Sequence, residues 1–83
     1  EPLKQFMNLQ TLRLIFTEIY ELEPIEGLIN LQILDLTGTR VSNLEPIKGL
    51  INLQTLSLRH CNNLTNEQIE DLRKALPDCE IRK

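Results

Sequence analysis

Apolar positions along this chain follow two alternating rhythms, and the pair of rhythms returns every 22 residues. The first is Leu-x-x-Leu-x-Leu: Leu9, Leu12, Leu14, then Leu31, Leu34, Leu36, then Leu53, Leu56, Leu58. The last two leucines of each set alternate with other residues at period two, which predicts a short strand with one buried face. The second rhythm is a step of three: Ile19, Leu22, Ile25, Leu28, then Val41, Leu44, Ile47, Leu50. Side chains eclipse at i and i+3 in a 3₁₀ turn, so this step suits such a turn better than an α-helix. Pro24 and Pro46 open those turns, where a fixed φ helps and a missing N–H does no harm. Gly27 and Gly49 stand where the chain must turn back toward the next strand, and a positive φ is expected there.

The copies are close in detail. EPIEGLINLQILDL (Glu23 to Leu36) and EPIKGLINLQTLSL (Glu45 to Leu58) agree at eleven of fourteen positions, and EPLKQFMNLQTLRL (Glu1 to Leu14) is a more divergent third copy. A fixed period of this length predicts a solenoid, in which each coil buries its apolar face only by stacking on its neighbours. Residues 1–83 form one domain, with a partial repeat at 1–8 and repeats at 9–30, 31–52 and 53–75.

The last copy ends differently. An extra residue enters before Leu64, and Thr65 followed by Gln68 reads as a capping box for a true α-helix over about 66–76. Ile69, Leu72, Ala75 and Leu76 share one face of that helix, and Pro77 ends it. Glu67, Glu70, Asp71, Arg73 and Lys74 give it the charged outer face that a terminal cap needs. Leu76, Cys79 and Ile81 repeat the leucine spacing, so a terminal strand is expected over 78–82 with Cys79 in the place of Leu56. The amino end shows no comparable cap, and the chain reads as a piece of something longer. Its first strand and the layer carrying Phe6 and Met7 are expected to be covered, by upstream repeats or by self-association through that uncapped edge.

These residues resemble the leucine-rich-repeat family, in the short 22-residue class that includes bacterial internalin-like repeats and those of a eukaryotic phosphatase regulatory subunit. The resemblance covers nearly the whole chain. It implies an α/β fold: a right-handed solenoid with short parallel strands on the concave face, 3₁₀ turns on the convex face and a C-terminal capping α-helix. The chain departs from the family at one ladder position, where members often carry Asn. Thr17, Thr39 and Cys61 stand there, and their side chains can supply only a weaker ladder. In this the chain looks more like the bacterial members.

Composition narrows the function classes. At 83 residues the chain is near the lower limit for a self-sustaining core, and 41% of it is hydrophobic. A net charge of −3 argues against nucleic-acid binding, which needs clustered Lys and Arg. No apolar run approaches the ~20 residues that would span a membrane. The compartment, cytoplasmic or secreted, stays open.

Candidate chemistry is sparse. His60 has no nucleophile and orienting partner around it in sequence, so no enzyme and no cofactor are expected. Cys61 and Cys79 can be read as a disulfide, a metal pair or two thiols. Their offset along the strands exceeds the ~7 Å limit for a bridge, and zinc wants four ligands, so two free, buried thiols are expected and no metal. Asn63-Leu64-Thr65 matches a glycosylation sequon, a pattern short enough to arise by chance.

A binding function belongs on the concave strand face. Outward positions stack there into columns: Thr11, Ile33, Thr55 and Asp78; Arg13, Asp35, Ser57 and Glu80; Ile15, Thr37, Arg59 and Arg82, beside Phe16, Gly38, His60 and Lys83. Arg13 and Asp35 are lateral neighbours, an exposed pair worth under about 1 kcal/mol. The candidate partner-binding residues are Arg13, Ile15, Phe16, Asp35, Ser57, Arg59 and His60, set against the plainer reading of a variable scaffold surface. The expected function is a non-catalytic protein–protein interaction module, binding a protein partner rather than nucleic acid or membrane. Two other readings stand beside it: a structural spacer or C-terminal capping segment of a larger protein, and a regulatory repeat array attached to a phosphatase or GTPase.

Overall fold

A computed structural model describes residues 8–83. The expected layer of Phe6 and Met7, and the first seven residues of the partial repeat, lie outside the described residues.

Four three-residue strands form one parallel sheet in chain order: β1 (Thr11–Arg13), β2 (Ile33–Asp35), β3 (Thr55–Ser57) and β4 (Glu80–Arg82). The first three pair in the 22-residue register, with Leu12 beside Leu34 and Leu34 beside Leu56. Parallel neighbours require long crossovers. Two of them carry 3₁₀ turns, Glu23–Ile25 and Glu45–Ile47, each with its proline in the first positions. The third carries an α-helix, α1 (Asn66–Ala75). This is the expected α/β solenoid.

Identical spacing makes the core layered. Leu22, Leu31, Leu34, Leu36, Val41, Ile47, Leu50, Leu56 and Leu72 have no solvent exposure. Each such side chain contributes about 1.5–3 kcal/mol of burial free energy. Leu34, Leu36, Leu56 and Leu58 are buried as expected, whereas Leu12 and Leu14 are only half-buried. Both belong to the first coil, which among the described residues has a stacked neighbour on one side only.

Positive φ falls elsewhere than expected. Gly27 and Gly49 do not adopt it; Phe16 (55°), Gly38 (72°) and His60 (60°) do, at one position of three successive coils. The 3₁₀ turns already reverse the chain near Gly27 and Gly49, through bonds such as Leu28 N–H to the Ile25 carbonyl at 3.0 Å. The tight corner lies instead at the exits from β1, β2 and β3. There the ladder continues past the last strand residue, Phe16 N–H to the Thr37 carbonyl at 2.7 Å and Gly38 N–H to the Arg59 carbonyl at 2.8 Å.

Helix α1 takes the place of a third 3₁₀ turn and docks on the second. Its capping box is complete: Gln68 N–H donates to Thr65 Oγ1 at 3.2 Å, and Thr65 N–H donates to Gln68 Oε1 at 2.8 Å. Ile69, Leu72 and Leu76 are buried beneath it. Gln68 Nε2 donates to the Ser42 carbonyl at 2.5 Å, and Lys48 bridges Glu45 and Asp71. The ion pairs are exposed and add little beside the three apolar anchors.

The terminal strand is shorter than the expected 78–82 and slipped by two residues. Glu80 pairs with Thr55, Ile81 with Leu56 and Arg82 with Ser57. Leu76 belongs to the helix end, where its N–H bonds the Leu72 carbonyl at 2.9 Å, and the turn over 77–79 is extra chain. A slip of two preserves the inward–outward alternation, so the apolar pattern could not detect it. Cys79 therefore lies just before β4 rather than opposite Leu56, and it is half-buried rather than buried; Cys61 is buried, and both thiols are free.

The ladder position works through different atoms in each coil. Thr17 donates its hydroxyl to the Leu14 carbonyl at 2.9 Å. The Cys61 thiol donates across coils to the Leu36 carbonyl at 2.9 Å, with Thr39 Oγ1 3.6 Å from its sulfur.

Candidate interaction surface

Period-two alternation puts residues 11, 13 and 15, and their counterparts one and two repeats on, on the side of the sheet away from the leucine core. Arg13, Asp35 and Ser57 form one cross-strand row in register, as expected. Its fourth member is Arg82, not Glu80, because of the slip in β4. Arg82 Nε lies 2.5 Å from Glu80 Oε2. The row thus runs cation, anion, hydroxyl, cation.

Asp35 is held by its own coil. Thr37 donates its hydroxyl to Asp35 Oδ1 at 2.6 Å and its N–H to the same oxygen at 3.0 Å. Thr37 Oγ1 also lies 2.9 Å from Ser57 Oγ. With the Thr37 proton committed to the carboxylate, the Ser57 hydroxyl is the donor to it. Burial pushes the Asp35 carboxyl upward, but the Thr37 hydroxyl and amide, the Arg13 charge and Ser57 together hold it below the usual carboxylate range. Arg13 acts there through its field: it is the lateral neighbour of Asp35 expected from sequence, but the two form no ion pair within 4.0 Å.

The strand exits carry the rest. Columns Ile15–Thr37–Arg59 and Phe16–Gly38–His60 run side by side. Ile15, Phe16, Arg59 and His60 are exposed. Phe16 is 72% exposed although it is apolar and left-handed. Its ring reaches over the next coil: a Cβ on Gly38 would overlap Phe16 Cδ1 and stand only 2.6 Å from Cε1. The surface is therefore apolar at the first coil, low at Thr37 and Gly38, and raised again at Arg59 and His60. At ~4.8 Å per strand, Ile15 and Arg59 are about 10 Å apart, two coils across.

A second feature lies at the strand entrances, where the residues were not singled out from sequence. Asn8, Gln10, Asn30, Gln32, Asn52 and Gln54 line an open groove of about 380 Å³. The signal was present as Asn-Leu-Gln, spelled three times at the 22-residue period. Among the described residues no group of three or more His, Cys, Asp and Glu side chains could hold a metal ion, and no helix is long and apolar enough to cross a membrane.

Comparison with known proteins agrees with this architecture. A family model described as leucine-rich repeats in two copies matches residues 29–74, more than half of the chain. No curated protein matches the chain in sequence. Among solved structures, internalin C2 of Listeria monocytogenes is similar at 27% identity and a TM-score of 0.78, over 89% of this chain and 31% of that one. A second Listeria monocytogenes internalin, InlF, is similar at 24% identity and a TM-score of 0.62, over 76% of this chain and 22% of that one, a likeness of fold alone. The chain spans about a third of the length of the internalin C2 chain it matches.

Proposed function

The chain belongs to the leucine-rich-repeat family, and from that premise we propose that it is a non-catalytic module that holds a protein partner on its concave strand face. The contacts fall to Arg13, Ile15, Phe16, Asp35, Ser57, Arg59 and His60.

Phe16 carries this reading. Gly38 occupies the equivalent corner one coil later, so glycine is accepted there. A phenylalanine at that corner costs about 1–2 kcal/mol in left-handed backbone strain and leaves a large apolar ring in water. Neither cost brings anything to the folded chain, because the ring buries little. Both are repaid if the ring is covered by a partner, as exposed aromatic anchors are at interfaces. Strained backbone concentrates at functional sites for this reason. Ile15 widens the apolar patch, while Arg59 supplies a cation two coils away for an acidic group on the same partner. Asp35 and Ser57 form a bonded floor between them.

The test is affinity capture from extracts of the source organism on the immobilised chain, compared with Phe16→Asp and Arg59→Glu variants. A partner retained by the parent chain should be lost by both variants and kept by Glu23→Lys on the convex side. Equal retention by Phe16→Asp would end the concave-face assignment.

A further inference from the structure

The amide groove is a repeated device built from three coils. Each Asn–Gln pair flanks a leucine packed on the core, Leu9, Leu31 or Leu53, with the Asn in the turn and the Gln just before the strand, and all six amides line the one groove. Backbone bonds fix the pairs to one another: Gln32 N–H donates to the Gln10 carbonyl at 2.8 Å, and Gln54 N–H to the Gln32 carbonyl at 2.7 Å. Successive pairs therefore repeat at about the ~4.8 Å spacing of adjacent strands.

The two columns differ in duty. Asn52 Nδ2 donates to the Ile29 carbonyl of the coil before it at 2.9 Å, a clasp between coils. Among the described residues, no side-chain hydrogen bond engages Gln10, Gln32 or Gln54. Three carboxamides thus line an open groove with their hydrogen-bonding capacity unused by the fold.

Their chemistry selects a ligand class. A carboxamide offers two N–H donors and a carbonyl acceptor. Among the described residues no charged side chain lines the groove, so neither an anion nor a cation is favoured. Pockets for compact apolar ligands are lined mostly by hydrophobic and aromatic groups, and this one is not. The matching ligand is neutral, carries donors and acceptors along its length, and repeats at the spacing of the coils. Sugar rings in an extended chain advance by a closely similar distance and present hydroxyls on each ring.

We propose that the Asn–Gln groove binds a neutral, extended oligosaccharide along the solenoid axis, one ring per coil, with Gln10, Gln32 and Gln54 exchanging hydrogen bonds with its hydroxyls. The site stands at the strand entrances, whereas the residues assigned to the protein partner are the last residues of the strands and those just beyond them.

The experiment is isotope-edited NMR of the 83-residue chain, following side-chain NH₂ resonances during titration with cellohexaose and with chitohexaose. At least one hexasaccharide should shift all three glutamine NH₂ pairs saturably, while the backbone amides of Arg59 and His60 stay in place. Glucose alone should shift them far less, since it occupies one coil. Gln54→Ala, an exposed change, should weaken binding about tenfold, the scale of one lost hydrogen bond, and Gln32→Ala should do the same in the middle of the row. Unmoved NH₂ resonances with both sugars would overturn the assignment. So would binding that survives both variants unchanged, or glucose acting as strongly as the hexasaccharides.

Discussion

Gly38→Ala tests the corner at which three coils leave their strands. Two effects act at that position and can be separated. The first is backbone: at φ 72° an L side chain costs about 1–2 kcal/mol. Against this, alanine narrows the unfolded ensemble and returns about 0.4–1 kcal/mol. The net backbone cost is near 1 kcal/mol. The second effect is steric. The new Cβ would overlap Phe16 Cδ1, with Cε1 at 2.6 Å and Cγ at 3.1 Å, so the ring must leave its position. The ring is exposed and free to move, and displacing it from a rotamer minimum costs about 0.5–1.5 kcal/mol. Gly38→Ala should therefore destabilise by about 2 kcal/mol in total. In a Phe16→Ala background it should cost only about 1 kcal/mol, a coupling of about 1 kcal/mol. Urea unfolding of the four proteins, followed by far-ultraviolet circular dichroism, closes the cycle. In heat, the single variant should melt roughly 8–16 °C lower, at ~4–8 °C per kcal/mol for a domain of this size. Equal costs in both backgrounds would show that the ring does not lie over Gly38. A neutral Gly38→Ala would refute the left-handed corner itself.

Other outcomes follow from the same geometry. The depressed Asp35 carboxyl contributes stability above its unfolded value of about 3.9, and that stability is lost as pH falls through the lower folded value. Asp35→Asn should then flatten the acid limb of a urea-midpoint profile below about pH 4, and an unchanged limb would refute the Thr37 network. Leu72→Ala, at a fully buried anchor of α1, should cost about 3 kcal/mol by chemical unfolding, and truncation after Thr65 should lower solubility by baring the last apolar layer. A truncated chain that stays monomeric with an unchanged melting temperature would show that α1 is not a cap. Both Cys61 and Cys79 should react with a thiol reagent after unfolding without reductant. A mass two daltons low, with neither thiol labelled, would contradict the free pair.

The coil period, the identity of the leucine layers, the prolines of the 3₁₀ turns and the capping box of α1 were legible in the sequence. They follow from local periodicity and cap chemistry, which need no knowledge of distant contacts. The layers repeat because each leucine stacks on its own copy 22 residues away, so the pattern and the packing carry the same information.

Tertiary structure decided what periodicity leaves degenerate. The two-residue slip of β4 keeps Ile81 pointing inward in either register, and only the length of chain used by the end of α1 chooses between them. That choice placed Arg82, rather than Glu80, beside Ser57. The left-handed corner sits at Phe16, Gly38 and His60, and at the first two the interstrand ladder extends past the strand end to hold it, a constraint between coils that Phe does not advertise. Asp35 bonds Thr37 on its own coil and forms no ion pair with Arg13 on β1, a choice of side-chain geometry that the strand register leaves open. The Asn-Leu-Gln triplets were visible as letters, but stacking three coils in register is what turned six amides into a groove.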